Sequence, residues 1–314
     1  MKKKFIITVL LLCVCLSTIS SGCFALATYN MIFENNSYDL EQDYHSIKID
    51  TITANVTFIH SNTSQSKVFC NELKTQKHEV EVVDGTLTIT QKKNEEWYGQ
   101  VLNLTSSYIV IHLNKIQYDT LDIVGVNTDV DMQAGFIFNN VNIQNTTGNT
   151  KWKSNVVDTF AINTQTGDLD LQYASFHLVD IQNTTGDVNL LNCSATSHTV
   201  IQLGTGNLTV TNSGLNLLHV KIQTGYATLN DVFASDQIMI LITTGNISLF
   251  RSDAGKLELA TTTGDIFASL LSSKKISTQT VSGQISIPET QDGGMCKTKT
   301  TTGNITIIVI SSEI

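Results

Sequence analysis

The sequence contains very little proline, arginine or charge. Pro288 is the only proline and Arg251 the only arginine among 314 residues, and charged residues make up 15% of the chain, against about 25% in an average soluble domain. Nucleic-acid phosphates bind basic grooves and bidentate guanidinium groups, so a net charge of −9 and a single arginine indicate that nucleic acid is not a partner. Thr, Asn, Val and Ile are plentiful instead, and they favour strands and tight corners over helices.

Motifs typical of enzymes and metal sites are also missing. The sequence has no Cys/His pair at zinc spacing, no nucleophile elbow, no phosphate-binding loop and no calcium-binding β-roll motif. A polysaccharide-cleaving β-helix enzyme would need carboxylates clustered on neighbouring turns, whereas the repeated acidic residues here stand singly. We therefore predict a non-enzymatic protein without catalytic residues, cofactor or metal.

The cysteines are few and badly placed for disulfides. Of the six cysteines, Cys13 and Cys15 belong to an apolar N-terminal segment. Cys193 and Cys296 lie about five repeats apart, which corresponds to ~24 Å if strands stack at ~4.8 Å per repeat. A disulfide requires Cα atoms within ~7 Å, so we predict that these two cysteines and Cys70 are small buried side chains.

The first 27 residues have the form of an export signal or a membrane anchor. Lys2–Lys4 precede an apolar run, and no charge occurs between Phe5 and Phe33. Three outcomes are open: lipidation of Cys23 after a lipobox-like Ser20-Ser21-Gly22, an uncleaved membrane helix, or release by cleavage after Ala25-Leu26-Ala27. The lysines keep the N-terminus cytoplasmic and direct the rest outside. We predict an extracytoplasmic protein of the bacterial cell envelope, anchored to the membrane through its N-terminus by a lipid or a helix.

A glycine recurs every 19 or 20 residues through the second half of the chain. Thr precedes it at eight of nine positions, and Asn or Asp follows it at seven, which indicates a repeat architecture. Glycine allows a positive φ at a tight corner, and Thr and Asx suit the strand end and turn around it. We interpret the glycines as structural corners and not as a binding motif. They are Gly148, Gly167, Gly186, Gly206, Gly225, Gly245, Gly264, Gly283 and Gly303.

Apolar residues occupy fixed positions around each glycine, two and four residues after it and five and seven before it. Ile247 and Leu249 follow Gly245 in this way, and Ile238 and Ile240 precede it. Alternate residues of a strand share one face, so each repeat contains two strands with one buried side. Identical columns over nine repeats favour stacking over an antiparallel meander. The sequence predicts an all-β, single-chain parallel β-solenoid, β-helix- or β-roll-like, with about 19–20 residues per turn. The handedness of parallel crossovers predicts a right-handed winding.

The repeat changes character along the chain. Residues 136–314 predict a regular β-solenoid, residues 46–135 predict irregular first turns, and the polar residues 28–45 predict a linker or an N-terminal cap. At the other end, residues 304–310 would form the last turn, with no evident cap after it. An uncovered turn presents a free strand edge, so we predict self-association through the C-terminal edge or a partner bound there.

Polar side chains form outward-facing columns beside the corners. The functional interpretation is a long face, rich in amides and hydroxyls, that binds a surface glycan or an envelope protein. The structural interpretation is a solvated face whose Thr and Gln ladders simply suit β-structure. The residues four positions before the glycines are Gln144, Asn163, Gln182, Gln202, Lys221 and Gln279.

The repeated Thr-Thr-Gly-Asp/Asn-Ile-x-Ile pattern resembles a bacterial family of unknown function known as putative adhesins. The resemblance also includes an irregular first turn, Ile47-Lys48-Ile49-Asp50 and Asn55-Val56-Thr57-Phe58, and covers roughly residues 40–311. It implies an exported, often membrane-anchored β-solenoid of the cell envelope, with some relatives encoded beside envelope-stress genes. The family offers no catalytic residues to transfer to this chain.

These observations predict an adhesin-like or surface-binding module attached to the envelope. The alternative is an accessory protein of cell-envelope stress signalling that contacts a membrane sensor. A polysaccharide-active β-helix enzyme is the third hypothesis. It would require turnover of a glycan that depends on a particular corner aspartate.

Overall fold

A computed structural model describes residues 32–91, 107–289 and 292–310. Within these ranges the chain forms 25 β-strands and no helix, which confirms the predicted all-β class. The first nine strands are β1 (Phe33–Leu40), β2 (Ser46–Thr51), β3 (Ala54–His60), β4 (Ser66–Leu73), β5 (His78–Val83), β6 (Thr86–Gln91), β7 (Ser107–Leu113), β8 (Gln117–Asn127) and β9 (Val130–Met132). The next eight are β10 (Ile137–Thr147), β11 (Thr150–Trp152), β12 (Asn155–Thr166), β13 (Leu169–Gln172), β14 (Ser175–Thr185), β15 (Val188–Leu191), β16 (Ser194–Thr205) and β17 (Leu208–Thr224). The last eight are β18 (Ala227–Thr244), β19 (Ile247–Phe250), β20 (Asp253–Thr263), β21 (Ile266–Leu270), β22 (Lys274–Gln279), β23 (Ile285–Ser286), β24 (Gly294–Lys299) and β25 (Ile305–Val309).

The export signal or anchor predicted for residues 1–27, including Cys23, lies outside the described residues. In the part of the chain that the structure describes, no helix is long and apolar enough to cross a membrane.

The strands stack in parallel, one repeat above the next, as the predicted β-solenoid requires. Ile143 pairs with Ile162 and Ile162 with Ile181, so one step along the stack is one repeat in sequence. Identical apolar residues therefore lie on top of one another. The predicted parallel β-solenoid is confirmed.

Two strand ladders, called ladder A and ladder B below, run along the whole stack. Ladder A carries the strands that lead to the glycine corners, and ladder B carries the strands that leave them. Strands β17 and β18 each run without a break from ladder B into ladder A and therefore belong to both ladders. The order in ladder A is β5, β6, β2, β8, β10, β12, β14, β16, β17, β18, β20, β24 and β22. The order in ladder B is β1, β4, β7, β3, β9, β11, β13, β15, β17, β18, β19, β21, β25 and β23.

A bulge recurs in the strands of ladder A. In the pairing of β12 with β14, for example, the register shifts between Val156 and Thr159. Such an insertion bends the strand locally. Each turn therefore has a short segment before the bulge, a longer one up to the glycine, and a third segment after it.

The core lies between the ladders and is one continuous apolar column. At its N-terminal side it contains a chain of aromatic rings with centroids 4.9–5.8 Å apart. Offset and tilted contacts at these separations are favourable beyond the area they bury. The rings belong to Tyr44, Tyr118, Phe138, Trp152, Phe160 and Phe176. Cys70, Cys193 and Cys296 are buried free thiols in this structure.

The first turn in the sequence is not the first in space. Strands β2 and β3 lie between β8–β9 on one side and β6–β7 on the other. Beyond β6 and β7 the pairing becomes antiparallel, with β5 on ladder A and β4 followed by β1 on ladder B. The segment 28–45, for which a linker or cap was predicted, thus contributes β1 to this end.

The prediction that residues 304–310 form the exposed last turn is wrong. Strand β25 pairs with β21 on one side and β23 on the other, and β24 lies between β20 and β22. The end of the stack is formed by β22 and β23, which come earlier in the sequence. Gly283 and Gly303 carry the same columns, so either turn can stack on the turn of Gly264, and the sequence pattern does not distinguish the two orders.

Candidate functional site

The nine repeated glycines share one backbone conformation, with φ between 138° and 156°. Residues other than glycine rarely adopt such φ values, because their Cβ atom clashes with the backbone. Eight of them lie against the glycine of a neighbouring turn, and Gly148 lies against Thr128. A Cβ on Gly245, for example, would come within 1.8 Å of the Gly225 carbonyl oxygen. The corner is therefore fixed by backbone packing, which leaves no room there for a ligand.

The Asn or Asp after each glycine forms a ladder of its own. The Asp168 amide donates to Asn149 Oδ1 at 2.8 Å, Asp187 donates to Asp168 Oδ1 at 2.9 Å, and Asn207 donates to Asp187 Oδ1 at 2.7 Å. Each side chain thus satisfies a backbone N–H of the next turn, as Asx residues often do at turns. The rung is missing where Tyr226 stands, because Tyr has no acceptor at this position.

An open groove of about 500 Å³ lies on the outer side of ladder A. It crosses strands β12, β14, β16, β17 and β18, which lie on successive levels of the stack. Its lining is mostly amide, hydroxyl and aliphatic, and Lys221 is its only charged residue. The lining includes Asn163, Gln182, Asn183, Thr184, Gln202, Leu203, Gly204, Lys221, Gln223, Leu241 and Thr243.

The structure thus brings four residues of the predicted polar column together in one groove. Asn163, Gln182, Gln202 and Lys221 line it, while Gln144 and Gln279 lie elsewhere on the stack. Gly204 has no side chain where neighbouring turns carry Thr or Gln, and this widens the middle of the groove. Leu241 interrupts the polar column at one end of the groove.

The hydrogen-bonding capacity of the groove is largely unused within the described residues. Buried Asn183 donates its Nδ2 to the Gly167 carbonyl at 2.9 Å, but its Oδ1 has no partner. A buried acceptor without a partner carries a free-energy cost of roughly 1–3 kcal/mol. Asn145, at the equivalent position outside the groove, has the same arrangement, so this oxygen belongs to the inner side of the corner. The groups that the groove offers to a ligand are the exposed amides of Gln182 and Gln202.

The structure also assembles a buried cluster that sequence spacing did not reveal. The Cys70 sulfur, a Glu72 carboxylate oxygen and a His78 ring nitrogen lie within 4.8 Å of one another, and all three residues are buried. These are atoms of the kinds that bind metal ions. Glu72 Oε2 lies 2.7 Å from His78 Nδ1 and accepts the His78 amide at 2.7 Å. His78 Nε2 lies 3.0 Å from Thr51 Oγ1. These residues come from three strands with no repeat relation to one another, so no periodic signal marks them.

The donors and acceptors of this cluster satisfy one another. Gln91 Oε1 accepts the Ile52 amide at 2.6 Å and the Thr51 hydroxyl at 3.3 Å. Both ring nitrogens of His78 have partners, Nδ1 the Glu72 carboxylate and Nε2 the Thr51 hydroxyl. A metal ion at this place would have to break the Glu72–His78 bond.

Burial and hydrogen bonding change the pKa of Glu72, a member of this cluster, in opposite directions. Burial raises the pKa of Glu72, but hydrogen bonds from His78 and Asn36 outweigh it and hold the pKa below its ordinary value of 4.5. Burial raises the pKa of the Cys70 thiol to about 12. A thiol with such a pKa is neither a good nucleophile nor a ready metal ligand.

A second buried charged group joins the last turns. Lys274 Nζ lies 2.6 Å from Asp253 Oδ1, both side chains are 4% exposed, and Ser272 bonds both of them. Gly294 lies between them in the stack, where a Cβ would approach the Gly255 carbonyl to 2.1 Å. The ion pair thus ties the terminal strand β22 to β20 across β24.

The family model described as Toastrack DUF4097 matches residues 44–250 and again residues 197–313. Together the two matches cover almost the whole described chain. The chain belongs to this family. Membership of the Toastrack family is consistent with a non-catalytic surface module. No curated protein matches the chain.

Solved structures that the chain is similar to include three from the genera Bacteroides and Parabacteroides. A putative adhesin from Bacteroides fragilis is 15% identical at a TM-score of 0.43 and covers 88% of this chain and 97% of its own. A putative adhesin from Parabacteroides distasonis is 11% identical at a TM-score of 0.42, with the same coverages of 88% and 97%. A putative lipid binding protein from the same organism is 12% identical at a TM-score of 0.37 and covers 89% and 98%.

Proposed function

We propose that this Toastrack protein is a non-enzymatic binding module of the bacterial cell envelope, anchored to the membrane through its N-terminus, which holds an envelope polysaccharide in the ladder A groove. The observation that carries the proposal is the groove itself. Among the described residues it brings together exposed side-chain amides from successive turns, those of Gln182 and Gln202, beside Asn163 and Lys221.

The chemistry of the lining favours a polysaccharide chain. Neighbouring strands of a sheet lie about 4.8 Å apart, so the amides of Asn163, Gln182 and Gln202, which pair in register, form a regular row of donors and acceptors. A sugar presents hydroxyl groups that both donate and accept, and amide side chains can satisfy either role. Partly exposed Leu241 offers apolar surface beside the polar groups.

The buried clusters support a non-enzymatic role. Thr51, Glu72 and His78 have the order of groups found in a nucleophile–base–acid triad, but Thr51 is 1% exposed, Glu72 0% and His78 2%. A substrate cannot reach a hydroxyl in that position. Acid–base catalysis also requires a group within about 3 Å of the reacting proton, and the outward groove carries no carboxylate in its lining.

The test is a binding assay with the full chain in mild detergent against soluble neutral and anionic envelope polysaccharides. We expect the double variant Gln182→Ala/Gln202→Ala to lower affinity on the order of tenfold, because each lost hydrogen bond contributes about 0.5–1.5 kcal/mol. The matched control is Thr209→Ala/Thr228→Ala, which removes two outward polar side chains from adjacent turns of ladder B. Equal loss in both variants, or no binding by the wild type, would contradict the proposal.

The same variants can be tested in cells. A strain that lacks the protein should attach less well to surfaces, and the control variant should restore attachment while the groove variant should not. Normal attachment combined with an altered response to cell-wall antibiotics would instead favour a role in envelope-stress signalling.

A further inference from the structure

Within the described residues, both ends of the stack present free strand edges, one on each ladder. At the C-terminal end, β22 and β23 each pair with one described neighbour, β24 and β25 respectively. At the N-terminal end, β5 pairs with β6 and β1 with β4, and neither has a second partner among the described strands. Ladder A therefore ends in β5 and β22, and ladder B ends in β1 and β23.

The C-terminal end also leaves core positions uncovered. Ile285 and Ile287 stand two and four residues after Gly283, and they are 44% and 41% exposed. The equivalent Ile305 and Ile307, one turn inside, are 0% and 1% exposed. Half-buried Ile276 of β22 packs against the same core. The end of the stack thus has the apolar positions of an interior turn but lacks a turn above it.

Strand β5 at the opposite end has a matching pattern. Val80 and Val82 are half-buried against the core, and Glu79 and Glu81 alternate with them on the outer side. Strand β22 alternates in the same way, with Lys275 and Ser277 on its outer side and Ile276 toward the core. An antiparallel pair of β22 with β5 would place Ile276 beside the two valines and Lys275 beside a glutamate.

The charges of the two ends are of opposite sign. Residues 32–91 carry nine carboxylates against four lysines, whereas the last turns, residues 271–289 and 292–310, carry four lysines against two carboxylates. Complementary charge favours contact between unlike ends, and two copies of the same end would repel. Tail-to-tail pairing is therefore disfavoured.

We infer that the partner of the C-terminal end is the N-terminal end of a second copy of this chain, so that molecules stack head to tail. Strand β22 of one copy pairs antiparallel with β5 of the next, and β23 lies parallel to β1 of that copy. Such a contact is heterologous and does not close on itself, so it continues as a linear array. The inference stands on the ends of the stack and is independent of the groove.

The test is the mass of the full chain in mild detergent as a function of protein concentration, measured by sedimentation. We expect the wild type to grow beyond the dimer, and Lys275→Glu and Glu81→Lys each to weaken association on the order of tenfold through like-charge contact. The double variant Lys275→Glu/Glu81→Lys, or a mixture of the two single variants, should restore association.

Ile285→Asp should abolish growth of the array. The control is Phe233→Asp, because Phe233 is an exposed apolar residue on the side of the stack, 57% exposed against 44% for Ile285. Far-UV circular dichroism verifies that each variant folds. A wild type that stays monomeric at all concentrations overturns the inference. So does an undiminished association in Glu81→Lys, because the N-terminal end would then take no part.

Discussion

At the scale of single residues, two glycines show how the corner is built. Gly245 has φ 140°, and a Cβ on it would lie 1.8 Å from the Gly225 carbonyl oxygen, whereas a Cβ on Gly214 would meet nothing within 4 Å. We predict that Gly245→Ala lowers the free energy of unfolding by roughly 2–4 kcal/mol, because it combines an unfavourable φ with a backbone clash. Urea unfolding measures the change.

The matched change Gly214→Ala should leave stability unaltered or raise it by up to about 1 kcal/mol, since alanine lowers the entropy of the unfolded chain. Equal destabilisation by both substitutions would show that the corner geometry is not the cause.

Tyr226 interrupts the ladder of side-chain acceptors that runs along the corners. Asn207 Oδ1 accepts the Tyr226 amide at 3.0 Å, but Tyr226 offers no oxygen to the next turn, at Asn246. We predict that Tyr226→Asn adds the missing rung and raises the free energy of unfolding by about 0.5–1 kcal/mol. The thermal unfolding midpoint measures the change. The control is Tyr226→Ala, which removes the ring without adding an acceptor and should not raise the midpoint.

The corner residues could be predicted from the sequence because their reason is local and repeated. A glycine and an Asn or Asp recur at fixed spacing, and each lies next to the equivalent residue of the neighbouring turn. The Glu72–His78–Thr51 network could not, since its members come from three strands without a common period. Only the antiparallel pairing at the N-terminal end, which interrupts the repeat, brings them together.

At the scale of elements, the antiparallel N-terminal end depends on the ionised state of Glu72. The pKa of this carboxyl is lowered in the fold from its ordinary value of 4.5, so its contribution to stability is present above about pH 4.5 and is lost as the pH falls through the folded pKa. We predict that Glu72→Gln destabilises the protein at pH 7 and that the difference from wild type shrinks on acidification below pH 4.5. Urea unfolding of both proteins at pH 7 and at pH 3.5 measures this.

The histidine partner supplies the control for this pH dependence. His78→Ala removes the ring donor to Glu72 but keeps the backbone amide, so it should reproduce part of the loss at pH 7, together with a weaker dependence on pH below 4.5. A constant difference between Glu72→Gln and wild type at both pH values would mean that the carboxylate charge contributes nothing.

The strands of the regular region could be predicted from their apolar columns, but their spatial order at the ends could not. Ile285 and Ile305 occupy the same column, and both turns fit on the turn of Gly264. The order is decided instead by contacts outside the columns. The buried Lys274–Asp253 pair, which spans β24, is one of these.

At the scale of the whole molecule, the groove arises only when turns are stacked. Gln182, Gln202 and Lys221 are far apart in sequence, and the polar column that contains them also contains Gln144 and Gln279, which lie outside the groove. The sequence predicted the face. The position of the groove on this face depends on the single turn that carries Gly204 in place of Thr or Gln, which the repeat pattern does not predict.

The stack should also tolerate the loss of one complete turn. Deletion of residues 187–206 joins Gly186 to Asn207 and keeps every apolar column in phase; Asn207 then takes the place of Asp187 on Asp168 Oδ1. Because each turn contacts only its neighbours, we predict a folded protein with one cooperative transition and a midpoint lowered by no more than roughly 10 °C.

Deletion of residues 187–196 removes half a turn and is the control. It places the outer residues of one strand over the core of the next, so the cooperative transition should disappear. Far-UV circular dichroism during heating distinguishes the two outcomes. If the full-turn deletion also fails to fold, stability depends on contacts beyond neighbouring turns.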